Sequence, residues 1–426
     1  MSTRRDFLAL ASSTVPFLRP GAAAALIEPF ARDQRSPAEI ARDEDAWAEV
    51  QRAYTVDRSI VNLNNGGVCP APRAVQDALR RYQEHAHEAP AYVMWRLQDP
   101  AKETVRAGLA SLFGRGPEEI AITRNASEAL ENVQLGLTLA RGDEVITTDQ
   151  DYPRMLTTWR QRERRDGIVL KQVELPVPVE DDAAVVAAFE AAITPRTKVI
   201  HLCHVINLTG QILPVKRVVA LARPRGIEVV VDGAHAFGHL DFRHDAVDCD
   251  FYGTALHKFL SAPHGTGMLF VRRERIRDVW PLMAAGPELD DDVRKFEEIG
   301  THSVGVRLAI AEAIAFHQAI GPARKEARLR YLRDRWARRV EGIGNARLWT
   351  SLAEGRSTGV ALVEIEGVSS ADLQEHLWTK HRIYTIAIQH ARFRGVRISP
   401  HVCTTVHEVD RFGDVLERVA REGLPV

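Results

Sequence analysis

Short runs of β-branched and other apolar residues alternate along this chain with amphipathic stretches. Residues 119–123, 143–148, 169–175, 197–205 and 227–232, and a run ending at Val271, read as strands. Apolar positions three and four apart predict helices over 72–87, 100–113, 124–139, 155–165 and 214–223. Near-continuous apolar strands separated by helices are the pattern of a doubly wound α/β sheet, buried on both faces. Residues 39–52 are expected as a surface helix, and 306–319 and 323–340 as further helices, the second with its arginines in solvent. Strands at 358–365 and 383–388 and helices at 370–379 and 406–421 predict a small α+β C-terminal domain. The expected division is 1–30 as a signal segment, 31–63 as an N-terminal segment packing with the small domain, 64–310 as the large domain and 311–426 as the small one.

Open α/β sheets hold ligands beyond the carboxyl ends of their strands. Four strand–loop–helix units bring Ser127, Tyr152, Asn207 and Asp232 to that edge. Ala126 and Ser127 open a helix, where unpaired N–H groups and a positive dipole suit an anion; a plain cap by Asn125 or Ser127 is the alternative. Tyr152 could stack on a flat ring or be a loop aromatic. Asp232 closes one strand, and Lys258 sits in the turn between the next two strand candidates. An acid and an amine so placed suit pyridoxal phosphate (PLP), which needs a lysine for its aldehyde and a carboxylate for its ring nitrogen. Spacing alone leaves a solvated lysine and a turn-capping aspartate open. Lysine is scarce, occurring only at Lys102, Lys171, Lys198, Lys216, Lys258, Lys295, Lys325 and Lys380.

A formal net charge of −1 argues against nucleic-acid or anionic-membrane partners. The cysteines (Cys69, Cys203, Cys249 and Cys403) are far apart and form no zinc-type cluster. His201 and His204 flank Cys203, but strand alternation puts them on opposite faces, so no metal is expected. The chain opens Thr3-Arg4-Arg5-Asp6-Phe7-Leu8, followed by a short apolar run and alanines at 22–25. This resembles a twin-arginine export signal and predicts a periplasmic or exported protein, the alternative being an ordinary terminus on a cytoplasmic one; the run is too short to span a bilayer.

Taken in order, 123–129 (Thr-Arg-Asn-Ala-Ser-Glu-Ala), 151–153 (Asp-Tyr-Pro), 204–210 (His-Val-Ile-Asn-Leu-Thr-Gly), 231–235 (Val-Asp-Gly-Ala-His), 254–258 (Thr-Ala-Leu-His-Lys), 298–302 (Glu-Ile-Gly-Thr-His) and 395–400 (Gly-Val-Arg-Ile-Ser-Pro) form a set of motifs. The set resembles the class V aminotransferase superfamily, within PLP fold type I, and most closely its isopenicillin N epimerase-like branch. The resemblance implies a large domain with a mostly parallel seven-stranded sheet between helices, and a small α+β C-terminal domain. It implies that Lys258 carries PLP as a Schiff base and shuttles the proton at the substrate α-carbon. Asp232 would pair with the ring nitrogen, Tyr152 would stack on the ring, and Asn207, with His235 nearby, would bind the ring hydroxyl. Ala126, Ser127, Thr254 and His257 would hold the phosphate, joined by Thr301 from the partner subunit of a homodimer. Arg397 would clamp an amino-acid carboxylate, with Asn64, Asn65 and Gly66 lining the substrate side. Relatives that remove sulfur from cysteine carry a loop cysteine before that arginine. Residues 387–397 contain none, which disfavours a desulfurase. Epimerase or aminotransferase chemistry is the leading expectation, a carbon–sulfur lyase the second, and a non-catalytic PLP-fold binding protein the third.

Overall fold

The computed structural model describes residues 22–425. The paired arginines of the signal-like segment lie outside them, whereas Ala22–Ala25 forms a short helix. Thirteen strands occur among the described residues. Seven make the large sheet: β2 (Ile120–Thr123), β3 (Glu144–Thr148), β4 (Val169–Val173), β5 (Thr197–Cys203), β6 (Glu228–Asp232), β7 (Phe251–Ala255) and β8 (Gly267–Val271). Their order is β2-β8-β7-β6-β5-β3-β4. Pairing is parallel from β7 across to β4, and β8 runs antiparallel to both its neighbours. Six strands therefore point one way, as the expected mostly parallel sheet requires.

The sheet is the middle of three layers. On β6, Val229 and Val231 enter one apolar core and Val230 the other. That alternation is the period of a strand buried on both faces. The helix Asp99–Phe113 covers the first face with Val105, Leu109 and Phe113. The helices Ala126–Gly136 and Pro153–Asp166 cover the second with Leu130, Val133 and Trp159.

The C-terminal domain is built on a four-stranded antiparallel sheet in the order β12-β13-β10-β9. Its strands are β9 (Ala346–Leu348), β10 (Ala361–Ile365), β12 (Ile386–Gln389) and β13 (Arg394–Ile398). The expected strand at 383–388 is divided, because β11 (Ile383–Tyr384) instead pairs in parallel with β1 (Val61–Asn62). The N-terminal segment is thus stitched to the small domain. The helix Ile310–Ile320 still packs Ile310, Ala313 and Ile314 into the large core. The chain passes to the small domain through Gly321 and the helix Pro322–Val340, whose Leu332, Trp336 and Val340 lie in the small core.

Two expectations are corrected. The surface helix at 39–52 is two helices, Pro37–Ile40 and Glu44–Arg52, the second capped by the Asp43 carboxylate. Trp47 and Val50 are fully buried, and Trp47 meets Phe30 edge-on at 4.9 Å. In the helix Pro322–Val340, Lys325, Arg328 and Arg333 are buried rather than solvated. Each donates to a backbone carbonyl of a segment distant in sequence: Phe259, Ala41 and Thr358 respectively. Such acceptors are supplied by tertiary packing and leave no trace in helical periodicity. Among the described residues, no single helix is long and apolar enough to cross a membrane.

A buried ion pair fastens β2. Arg106, wholly enclosed, donates to the Ile120 carbonyl (2.7 Å) and to Glu297, which also accepts the Ile122 N–H at 2.7 Å. Burial alone would raise the Glu297 pKa, but the Arg106 and Lys102 charges outweigh it and hold the group at about 2. Arg106→Ala leaves Glu297 buried without its main partner. We expect it to destabilise the fold by about 3–5 kcal/mol in urea unfolding, whereas a substitution at exposed Arg80 should leave the midpoint unchanged.

Candidate active site

Five of the six strands that run the same way, all but β4, end in a loop that contributes to one cavity. After β2, Asn125 caps the helix Ala126–Gly136 by accepting the Glu128 N–H (2.8 Å), and the first N–H groups of the helix have no intrahelical partner. A Cβ at Gly267, the first residue of β8, would lie 2.6 Å from the Asn125 carbonyl carbon, so only glycine lets β8 pass beneath this turn. After β3, the buried Asp151 carboxylate accepts the Thr147 hydroxyl and the N–H groups of Thr148 (2.7 Å) and Cys203 (3.0 Å). It clasps the ends of β3 and β5 and fixes Tyr152 at the start of the helix Pro153–Asp166. After β6, Asp232 is buried, with one carboxylate oxygen accepting the Ala234 N–H at 2.9 Å. Lys258 lies in the loop between β7 and β8.

The cavity has a volume of about 160 Å³. It is lined by Ala126, Ser127, Tyr152, Asn207, Asp232, His235, His257 and Lys258, so the structure brings together eight of the residues singled out from the sequence. Lys258 Nζ is 2.9 Å from His235 Nε2. Arg397 is buried beside the cavity, donating to the Asn207 carbonyl (2.9 Å) and to Asn64 Oδ1 (2.8 Å). Asn65 is committed to the scaffold: its amide donates to the carbonyls of Asn62 and Ser399. Gly66 donates its N–H to Ser399 Oγ (2.9 Å).

Thr254 and Thr301 are not brought into this cavity. The buried Thr254 hydroxyl donates to the Gly233 carbonyl at 3.0 Å, and Thr301 is exposed on its own loop. Sequence reading gave no role to Gly67, Cys203 or Val205, which also line the cavity, or to Asp151, which holds its wall; Asn125, weighed only as a cap, both caps the helix and lines the cavity. Asp151 carried a signal, being a carboxylate directly after a buried strand; Gly67, Cys203 and Val205 carried none. His201 and His204 do lie apart, His201 accepting from Trp159 Nε1 (3.2 Å) and His204 meeting the Tyr252 hydroxyl (3.2 Å). All four cysteines are free and buried.

Burial sets the electrostatics. It lowers Lys258 to about 8, with Asp232 opposing the shift. It raises Asp232. It lowers Arg397 to about 10 and drives His235 well below the usual histidine value, helped by the Lys258 and Arg397 charges. Asn207 Oδ1, His235 Nδ1 and Arg397 Nε are buried with no partner in the protein. Such atoms are costly unless a ligand satisfies them. An anion site at a helix start, a buried carboxylate, unpaired donors and acceptors and a readily neutral lysine fit the phosphate, ring nitrogen, hydroxyl and aldehyde of PLP.

Fold and cavity together define an α/β scaffold with a lysine and an aspartate lining one cavity at its carboxyl edge. The chain belongs to the class V aminotransferases, a PLP-dependent family whose model matches residues 61–412. It is 32% identical over 393 residues to isopenicillin N epimerase of Streptomyces clavuligerus, covering 88% of this chain and 99% of that protein. A probable cysteine desulfurase of Synechocystis is 31% identical over 274 residues, covering 61% and 64% of the two chains. Among solved structures, the apo cysteine desulfurase of Thermococcus onnurineus superposes with a TM-score of 0.77 at 24% identity, covering 88% of this chain and 98% of that one. This likeness is one of fold, type I among PLP enzymes.

Lys258 should react with an amine reagent with a midpoint near pH 8, read by mass spectrometry of the labelled peptide. A midpoint at the ordinary lysine value would contradict the burial described here. The unfolded chain holds this proton to higher pH than the folded chain does. Lys258 therefore makes stability rise with pH between about 8 and the ordinary lysine value, and Lys258→Met should flatten that rise.

Proposed function

We propose that the protein binds PLP in this cavity and acts at the α-carbon of an amino acid or amino-acid-containing substrate, as an epimerase or aminotransferase. The convergence of Lys258, Asp232 and Arg397 carries the reading: an amine, a buried carboxylate and a buried guanidinium around one small cavity. The cofactor supplies, when bound, the electron sink that lets an α-proton leave. Lys258, lowered to about 8 by burial, has a neutral fraction near physiological pH and can take or return that proton through Nζ. Asp232 would favour a protonated ring nitrogen, the positive partner that its buried carboxylate lacks. Ser127 and the N–H groups of the helix start would hold the phosphate. Arg397 would orient the substrate carboxylate through its unpartnered Nε side. The N–H groups and carbonyls around the cavity are fixed by the fold before substrate arrives, which favours positioning over induced rearrangement.

Similarity along nearly the whole length of an isopenicillin N epimerase supports the epimerase side of this reading. The thiol chemistry argues against desulfuration. The loop between β12 and β13 bears His390 and Arg392, both bound to Asp149, in place of a cysteine. Burial raises the Cys203 pKa and raises that of Cys403 to about 12, so neither is a ready thiolate.

Two further expectations join the proposal. Thr301 is exposed on a loop away from its own cavity, which supports a homodimer in which it reaches the partner's phosphate. Light scattering should give twice the chain mass. The Thr3–Leu8 motif supports export by the twin-arginine route, and the secreted form should begin near residues 22–25.

The deciding experiment incubates PLP-loaded protein with amino acids in D2O and follows α-deuteration, inversion, keto acid and sulfide. Deuteration with inversion is expected. Release of sulfide without inversion would replace the epimerase reading by a lyase. Lys258→Ala should slow exchange at least about 10²-fold, and Arg397→Lys should raise KM through loss of the bidentate fork. A protein with no visible absorbance after PLP addition would overturn the proposal.

A further inference from the structure

The loop that carries Lys258 contains a backbone outlier. Ser261, three residues on, has φ +62. Glycine adopts this region freely and serine at a cost, so a serine kept there points to use of its side chain. Its hydroxyl is 2.9 Å from His401 Nε2, and both residues are essentially without solvent exposure. Its N–H donates to the Lys258 carbonyl (2.9 Å), and the Ala262 N–H donates to the Leu256 carbonyl (3.0 Å). The Lys258 turn is therefore closed on itself and held at its αL corner by one imidazole.

That imidazole comes from the small domain, two residues beyond Ser399 and four beyond Arg397. Alternate positions of one extended stretch thus make three successive contacts. Arg397 reaches Asn64 and the Asn207 carbonyl. Ser399 accepts the Gly66 N–H. His401 meets Ser261. From below, the buried Lys325 donates to the Phe259 carbonyl, one residue after Lys258. His401 itself is held: its N–H donates to Thr404 Oγ1 (2.9 Å), and its ring meets Tyr54 edge-on at 5.4 Å. Burial, with the Lys325 charge, keeps it neutral. At Nδ1 the ring meets the Cys403 N–H (3.5 Å) and Sγ (3.4 Å), and with the proton on Nε2 it donates to Ser261 Oγ.

We propose that His401 and Ser261 form a positioning pair that ties the Lys258 turn to the strand bearing Arg397, fixing the amine relative to the carboxylate clamp. The inference deepens the proposed function, on whose assignment of Lys258 and Arg397 it rests. Neither residue lines the cavity, so neither is placed in contact with substrate.

The test compares the full-length wild type with Ser261→Gly, Ser261→Ala, His401→Leu and His401→Gln. Glycine relieves the backbone cost and removes only the hydroxyl; alanine keeps the cost and should also lower Tm. The first readout is amide hydrogen exchange of residues 256–266 in the cofactor-free protein. The second is the pH midpoint of the visible spectrum of the PLP-loaded protein, which reports the lysine–cofactor linkage rather than turnover. For Ser261→Gly and His401→Leu we expect exchange faster by about fivefold and a spectral midpoint displaced by at least about half a pH unit. His401→Gln, whose amide can still donate, should recover most of both. Wild-type exchange in Ser261→Gly would overturn the pair. So would faster exchange with an unmoved midpoint, the result for a merely structural contact. A wild type that acquires no visible band would count against the PLP reading, and exchange in 256–266 would then decide the tether by itself.

Discussion

Parallel pairing imposes one constraint from which the architecture of this site follows. Strands β3 to β7 run the same way, and β2 joins them across the single reversed strand β8. Their carboxyl ends must therefore share an edge, and loops far apart in sequence are forced to meet there. Asp232 ends β6, and Asp151, Asn207 and Lys258 lie three to four residues past the ends of β3, β5 and β7. The sheet needs both faces covered, so helices seal its sides and leave the edge as the place where polar groups collect. Desolvation follows from the same packing. Lys258 and Asp232 are shifted towards their neutral forms chiefly because burial at this edge removes them from water.

The small domain completes that edge rather than merely flanking it. β13 leaves its own sheet at Ile398, and the residues around this point grip the large domain. Arg397 is buried by contact with Asn64 and Asn207, and Ser399 by the turn at Gly66. The parallel pairing of β1 with β11 carries the N-terminal turn to the same place. Two domains and the N-terminal segment thus converge beside this cavity. A guanidinium removed from water with only two partners is costly on its own. The proposed substrate carboxylate, meeting the open side, would offset that cost.

The strands and most helices were legible because their signals are local. β-branched runs and period-3.6 patterning located β2, β3, β5, β6 and β8 to within a few residues. The loop residues Ser127, Tyr152, Asn207 and Asp232 were legible for the same reason, each following such a run. The scarcity of lysine narrowed the search, and its place in a turn between two strand candidates singled out Lys258. The errors also share a cause. Trp47 on a supposed surface helix, and Arg328 and Arg333 on a supposed solvated face, are buried by segments remote in sequence. The expected strand at 383–388 was divided because its first half found a partner over 300 residues earlier, at Val61.

By itself, the sequence determined which residues are candidates for the chemistry and where along the chain they lie, since side-chain type and strand register are properties of short stretches. Only the tertiary structure decided how they meet. It set Lys258 against His235, turned the Thr254 hydroxyl to the Gly233 carbonyl, left Thr301 outside its own cavity and brought His401 under the Lys258 turn. Those outcomes depend on packing between segments with no sequence relation to one another. The desolvation that lowers the Lys258 pKa depends on that same packing.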